Sequence, residues 1–290
     1  MAVACPLVAA AACTSRTGSD RAPRVDGGVA SAGPRGRRLP YGTGASQVGD
    51  LWLPEGEGPF PVVVLVHGGF WRSEYDLSLM DDLAAAVVAT GWAAWNIEYR
   101  RVGEEGGGWP GTFVDVAVAI DHLARLADDG EPVDLARVAI AGHSAGGHLA
   151  AWAGARPGLP PDAPGASPMV NPVALVSQAG VLDLDRAAEE GVGGSAVPDL
   201  MGGGPSDHGA RYRLASPQAR LPMGVPIRCV HDRQDELVPF DQSATYVDAA
   251  VDAGDDAVLA PFDGDHFAVL DPTDVSWTDT IAWLRPRFQP

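Results

Sequence analysis

Hydrophobic positions follow two different spacings along the chain from residue 41 onward. Short runs rich in β-branched residues, such as "PVVVLVHGG" (61–69) and "RVAIAGH" (137–143), are typical of strands buried on both faces. Segments 76–90 and 112–127 carry apolar residues at helical spacing and predict helices. Because strands and helices alternate, the pattern predicts a mostly parallel central sheet with helices on both faces. The same patterns predict further strands within 45–54, 92–100, 170–180, 225–232 and 256–264, and helices within 144–155, 241–253 and 274–286.

Residues 184–224 interrupt this alternation. The segment is rich in Gly and Pro and has weak periodicity of either kind. Insertions of this length inside a compact domain are usually functional elements or mobile loops. In sheets of this class, ligands bind at the carboxyl ends of the strands. We therefore expect a cap over a site there, with a merely mobile insertion as the alternative.

Composition and charge restrict the classes of function. A chain of 290 residues can bury one large core, and we expect a single domain over 41–290. The net charge of −18 argues against nucleic acid as a partner, since phosphate backbones attract clustered Lys and Arg. Three cysteines are too few for a disulfide framework in a domain of this size.

Residues 1–40 have a different character and predict a targeting segment or a disordered tether. They begin with an apolar run of roughly 11 residues, which fits a signal peptide and is too short to span a bilayer. "AAAACTS" resembles a bacterial lipoprotein cleavage site, at which Cys13 would carry a lipid anchor outside the cytoplasm. However, no Lys or Arg precedes the run, and Ala10 stands where such sites usually carry Leu. A plain extension of a cytoplasmic protein is the equal alternative.

The segment "AGHSAGGHLA" (141–150) contains a G-x-S-x-G pattern centred on Ser144. A predicted strand precedes it and a predicted helix follows, so Ser144 lies at a strand-to-helix turn where a nucleophile would be exposed. Gly142 and Gly146 suit such a turn because it leaves no room for side chains beside the serine. A glycine-rich bend with a capping serine would fit these ten residues nearly as well. Only motifs elsewhere in the chain can distinguish the two interpretations.

"VHGGFW" (66–71) also follows a buried strand. Its glycine pair would let the backbone N–H of Gly69 or Phe70 converge with that of Ala145 as an oxyanion hole. Two later loops supply an acid and a base. Asp235 and His266 follow two later predicted strands, 225–232 and 256–264, in the order Ser, Asp, His expected for this architecture.

Asp232 is the rival to Asp235, because it lies close to the strand end. Three aromatic residues, namely Trp71, Trp109 and His143, are candidates to line a substrate pocket, although both tryptophans would fit a core equally well. No motif for a catalytic metal or for a phosphate-bearing cofactor is present, and we expect neither.

Together, "HGGFW", "EYRR", "GHSAGGHLA", "DELVP" and "DHF" resemble the α/β-hydrolase superfamily over residues 44–287. More narrowly they resemble the small esterase/lipase-like branch that includes kynurenine formamidases, which carry an H-G-G-x-W motif. One departure is Asp232, where relatives usually have Gly. The resemblance implies an α/β-hydrolase fold and a Ser144–His266–Asp235 triad.

The residues and the resemblance lead to three functional hypotheses. The first is a serine hydrolase that cleaves a small carboxylic ester through an acyl-enzyme. The second is an arylformamidase that hydrolyses an amide such as N-formylkynurenine. The third, from a different class, is a catalytically inactive α/β-hydrolase that serves as a binding protein.

Overall fold

The computed structural model describes residues 36–289, within which the strands form one eight-stranded sheet. The strands are β1 (Arg37–Pro40), β2 (Val48–Trp52), β3 (Phe60–Val66), β4 (Ala93–Ile97), β5 (Val133–His143), β6 (Ala174–Gln178), β7 (Ile227–Asp232) and β8 (Ala257–Phe262). Their spatial order is β1-β2-β4-β3-β5-β6-β7-β8. β2 is antiparallel to both of its neighbours, and from β4 to β8 all pairs are parallel.

Helices cover both faces of this sheet, which confirms the predicted fold class. They are α1 (Asp81–Ala89), α2 (Gly111–Asp128), α3 (Ala145–Gly154), α4 (Leu184–Glu190), α5 (Ala196–Met201), α6 (Pro205–Ala215), α7 (Asp241–Asp252) and α8 (Val275–Leu284). Alternate residues of β3 enter two separate cores: Val62 and Val64 belong to a core that also contains residues of α2, α3 and α7, whereas Val63 and Leu65 belong to one that contains residues of α1 and α8. Within residues 36–289, no helix is both long and apolar enough to cross a membrane.

Two segments differ from the prediction. Residues 37–40 were expected to belong to an N-terminal tether, but they pair with β2 in the register Arg37↔Leu51 to Pro40↔Val48. The folded part therefore begins before residue 41, while the predicted anchor at Cys13 lies outside the described residues. The insertion at 184–224 contains three short helices, α4 to α6, instead of irregular chain.

The parallel strands all end at one edge of the sheet. The loops that follow β3, β5, β7 and β8 there carry Gly69, Ser144, Asp235 and His266, respectively. These four positions come from distant parts of the sequence, and the topology brings their loops to the same edge.

Candidate active site

Ser144 occupies a tight turn between β5 and α3. Its backbone has φ 55° and ψ −118°, a conformation that side-chain-bearing residues rarely adopt. A Cβ atom on Gly142 would overlap the carbonyl oxygen of Gly146, and one on Gly146 would overlap the carbonyl oxygen of Val66. Both glycines of the motif are therefore required by space. The Ser144 N–H donates to the carbonyl oxygen of Gln178 at 2.7 Å, which ties the turn to β6.

Asp235 and His266 form a buried acid–base pair. Nδ1 of His266 lies 2.6 Å from Oδ2 of Asp235, whose side chain is fully buried. Oδ1 of Asp235 accepts hydrogen bonds from the backbone N–H groups of Leu237 and Val238 at 2.8 and 2.9 Å. Burial by itself raises the pKa of Asp235, but hydrogen bonds from His231, His266 and Val238 outweigh it and hold that pKa well below its usual range. Asp235 is therefore an ionised partner for the His266 ring.

A cavity of about 140 Å³ joins the loops at this edge. It is lined by Gly69, Phe70, Tyr75, Leu79, His143, Ser144, Leu237, His266 and Phe267. Ser144 and His266 thus share one cavity wall, while Tyr75, Leu237 and Phe267 are 41–46% exposed and give the site an apolar rim. The volume is well below the roughly 300–1,000 Å³ of pockets for drug-sized ligands, so the cavity suits a small group.

Three backbone N–H groups beside Ser144 are available to an oxyanion. Those of Gly69, Phe70 and Ala145 donate to no acceptor within the described part of the chain. Gly69 and Phe70 have φ of 109° and 51°, so this loop has left-handed backbone at two successive residues. The loop also lies close to Ser144, since a Cβ atom on Gly68 would meet the Cβ atom of Ser144 at 3.0 Å.

Glu98, which the sequence analysis did not single out, supports this loop from behind. Its buried carboxylate lies 2.8 Å from Nε2 of His67 and accepts the backbone N–H of Leu77 at 3.1 Å. Tyr99 stacks on the His67 ring at 4.4 Å and donates its hydroxyl to the His67 carbonyl oxygen at 2.9 Å. An acidic residue at the end of a buried apolar strand was the signal that could have identified it.

The two tryptophans considered for the pocket lie elsewhere. Trp71 is fully buried and donates its Nε1–H to Nδ1 of His148 at 3.2 Å. Nε2 of His148 donates in turn to the carbonyl oxygen of Ala215, and burial lowers the pKa of His148 to about 4. Trp109 packs edge-on against Phe113, with ring centroids 5.0 Å apart. Trp71 is a core residue, whereas Trp109 is partly buried and packs against the core, and neither lines the cavity.

His143, the third pocket candidate, does line the cavity. Its Nε2 donates to the backbone carbonyl oxygen of His266 at 2.8 Å, so it joins the nucleophile turn to the loop of the base. Burial, together with the nearby His266, lowers the pKa of His143 to about 3, and the ring is neutral.

The rival acid and the insertion also have definite places. Oδ1 of Asp232 accepts the backbone N–H of Gly264 at 3.3 Å, and this carboxylate makes no contact with His266. None of the cavity-lining residues comes from 184–224. The insertion instead packs beside the site, where Gly193 contacts the Phe70 ring and Asp199 pairs with Arg72 at 3.3 Å. It does not roof the cavity in the way that a cap was expected to do.

Comparison with known proteins gives a consistent result. A family model described as BD-FAE matches residues 50–249. The esterase LipQ of Mycobacterium tuberculosis is 31% identical over 229 residues, which is 74% of this chain and 52% of LipQ. The kynurenine formamidase of Drosophila melanogaster is 25% identical over 256 residues, covering 85% of this chain and 79% of the formamidase.

Solved structures share the fold. A truncated form of a carbohydrate esterase from gut microbiota superposes with a TM-score of 0.76 at 21% identity, over 87% of this chain and 95% of that chain. The chain spans about half the length of LipQ, so a part of that relative has no counterpart here.

Proposed function

The chain belongs to the BD-FAE family and has the α/β-hydrolase fold, and from that premise we propose that it is a serine hydrolase that cleaves small carboxylic esters. The observation that carries the proposal is the shared cavity, which is lined by Ser144 and by a histidine whose Nδ1 lies 2.6 Å from a buried carboxylate. Such a pair can take the proton of a serine hydroxyl, which is otherwise a poor nucleophile.

The proposed reaction has two halves. Oγ of Ser144 attacks the ester carbonyl carbon while Nε2 of His266 accepts the hydroxyl proton, and Asp235 stabilises the ring as it becomes positive. The negative oxygen of the tetrahedral intermediate is bound by the N–H groups of Gly69, Phe70 and Ala145, each worth roughly 3 kcal/mol of transition-state stabilisation. His266 then protonates the leaving alcohol, and an activated water releases the acid from Ser144.

The cavity favours a short acyl group. Its volume of about 140 Å³ leaves little room beyond the reacting carbonyl and a few carbon atoms. The exposed rim of Tyr75, Leu237 and Phe267 suits an apolar or aromatic leaving group. The esterases among the relatives support the ester over other acyl compounds.

A panel of substrates tests this proposal. Purified protein is expected to hydrolyse p-nitrophenyl acetate faster than the octanoate ester, and a fluorophosphonate probe is expected to label Ser144. Ser144→Ala should abolish both signals and leave the far-UV circular dichroism unchanged, while the matched Ser206→Ala on the exposed face of α6 should keep them. Wild-type turnover by Ser144→Ala would contradict the mechanism, and an unreactive wild-type protein would favour the inactive binding protein.

Arylformamide hydrolysis is the second candidate. It is favoured by the match to kynurenine formamidase, which covers most of both chains. N-formylkynurenine has a one-carbon acyl group and an aromatic amine, and both fit a small cavity with an aromatic rim. Including it in the same panel decides between the candidates, because kcat/KM for the two substrate classes is then measured on one preparation.

A further inference from the structure

His231 is a fully buried histidine in β7 that the proposed mechanism does not use. Its Nε2 lies 3.0 Å from the carbonyl oxygen of Val238 and 3.3 Å from Oδ2 of Asp235. Both neighbours only accept hydrogen bonds when Asp235 is ionised, so Nε2 carries a proton and donates it to them. Nδ1 lies 2.7 Å from Oγ of Ser243, whose hydroxyl can donate in return. In this tautomer each ring nitrogen has a partner.

We infer that His231 is a positioning residue for Asp235, an inference that rests on the proposed function. Oδ2 of Asp235 faces two histidines, His266 at 2.6 Å and His231 at 3.3 Å. The His231 donor limits rotation of the carboxylate and keeps Oδ2 directed at Nδ1 of His266. Among the described residues, this carboxylate oxygen makes the one hydrogen bond to the His266 ring, so the alignment of the ring with Ser144 depends on the donor that fixes the carboxylate.

Val238 links His231 to Asp235 a second time, through its own backbone hydrogen bonds. Its N–H donates to Oδ1 of Asp235 at 2.9 Å, and its carbonyl oxygen accepts from His231 at 3.0 Å. His231 lies on a central strand, paired with β6 and β8, whereas Asp235 lies on the loop beyond it. His231 thus ties the loop that carries Asp235 to a strand of the sheet. Catalytic groups need such support if they are to stay within about 0.5 Å of the productive geometry.

Three substitutions separate positioning from simple packing. His231→Phe keeps the ring volume and removes the donor, whereas His231→Gln places an amide N–H where Nε2 stood. His231→Phe is expected to lower kcat for p-nitrophenyl acetate by about 10–100-fold with KM nearly unchanged, a loss of the size found when the hydrogen-bonded partner of a metal-binding residue is removed. His231→Gln is expected to restore most of the loss. His122→Phe is the control. The His122 ring lies in α2 and stacks on Trp95, away from the site, so this variant should keep wild-type kcat.

A second measurement does not depend on turnover. The Nδ1 proton of His266, in its 2.6 Å bond to Asp235, is expected to give a downfield proton resonance in NMR spectra. It should move upfield or broaden in His231→Phe and return in His231→Gln. If His231→Phe does not fold, His231→Asn replaces it, since its amide reaches only the Nδ1 position.

A folded donor-free variant with wild-type kcat and an unmoved resonance would overturn the inference while leaving the proposed function intact. A wild-type protein without hydrolase activity would refute the proposed function, and the resonance would then still report whether His231 positions Asp235.

Discussion

Asp235 and Asp232 lie three residues apart, yet their carboxylates have different surroundings. Asp235 contacts His266, whereas Asp232 accepts only the Gly264 backbone N–H. Asp235→Asn is expected to lower kcat by about 10³–10⁴-fold, because an amide in place of the carboxylate favours the wrong tautomer of the histidine. Asp232→Asn keeps an oxygen for Gly264 and should lower kcat less than about tenfold by comparison. Steady-state kinetics on p-nitrophenyl acetate compares the two, and the reverse ranking would identify Asp232 as the acid.

Gly146 shows how tightly the nucleophile turn is packed. A Cβ atom there would overlap backbone of β3, which cannot move without displacing the central sheet. Gly146→Ala is expected to lower the free energy of unfolding by about 3 kcal/mol or more, the upper end of what overpacking costs. Gly158→Ala is the matched control: its nearest neighbour would be the Arg220 side chain at 3.7 Å, so a change within about 0.5 kcal/mol is expected. Urea denaturation measures both, and equal stabilities would contradict the packing described for the turn.

At the scale of elements, the insertion contacts the loop that carries Gly69 and Phe70. Gly193 and Gly194 both have left-handed backbone, with φ of 65° and 71°, but only Gly193 contacts the Phe70 ring. Both Gly→Ala variants carry the same kind of backbone strain, whereas Gly193→Ala also displaces the Phe70 ring. We expect kcat/KM to fall about tenfold more for Gly193→Ala than for Gly194→Ala, within the range that small misplacements produce. Equal kcat/KM for the two variants would mean that the contact between Gly193 and Phe70 does not affect the site.

The strands and helices that could be predicted carry a clear pattern of buried apolar residues, and the elements that could not be predicted lack such a pattern. β3 and the second half of β5, from Val138, are continuous buried runs because both of their faces are covered, and α2 has a clear apolar stripe. β1 is an exposed edge strand with the sequence "RRLP", so no burial pattern marks it. α5 has six residues and ends at a left-handed Gly202, so its pattern is shorter than two helical turns. Its helical state comes from packing and not from periodicity.

At the scale of the whole molecule, two buried histidines make stability depend on pH. The folded-state pKa values of His143 and His148 are about 3 and 4, below the roughly 6.5 of an unfolded histidine. Between these values the unfolded chain binds more protons, so stability falls as pH is lowered from about 6.5 to 4. Burial raises the pKa of Asp81 to about 6, which gives a smaller contribution of opposite sign. The lowered pKa of Asp235 contributes only below about pH 4.

The expected result is a urea midpoint that decreases steadily between pH 7 and pH 4.5. His148→Gln keeps a donor for the Ala215 carbonyl and removes one titrating group, so the decrease should become shallower by close to one proton. A midpoint that stays level over this pH range would show that these two histidines are not held neutral in the folded protein.

The same distinction holds for the candidate site: the places of some of its residues could be predicted from the sequence, and the places of others could not. The position of Ser144, Asp235 and His266 at one edge of the sheet could be predicted, because each follows a predicted strand and the parallel strands end at the same edge. Trp71 could not be assigned, since an aromatic residue beside a glycine pair suits a cavity wall and a core equally well. The bond between Glu98 and His67 joins residues 31 positions apart, and although His231 lies only four residues before Asp235, nothing in that spacing indicates that their side chains face each other.

The backbone of Ser144 has one more consequence, which concerns selection. Holding a serine at φ 55° and ψ −118° requires about 1–3 kcal/mol that glycine would not need. Ser144→Gly and Ser144→Ala both lack the hydroxyl, yet the glycine variant should unfold at the higher temperature, since its greater chain entropy offsets only about 1 kcal/mol of that gain. The protein therefore retains a less stable residue at the centre of its sheet edge, and a lineage that no longer needed hydrolysis would gain stability by losing it.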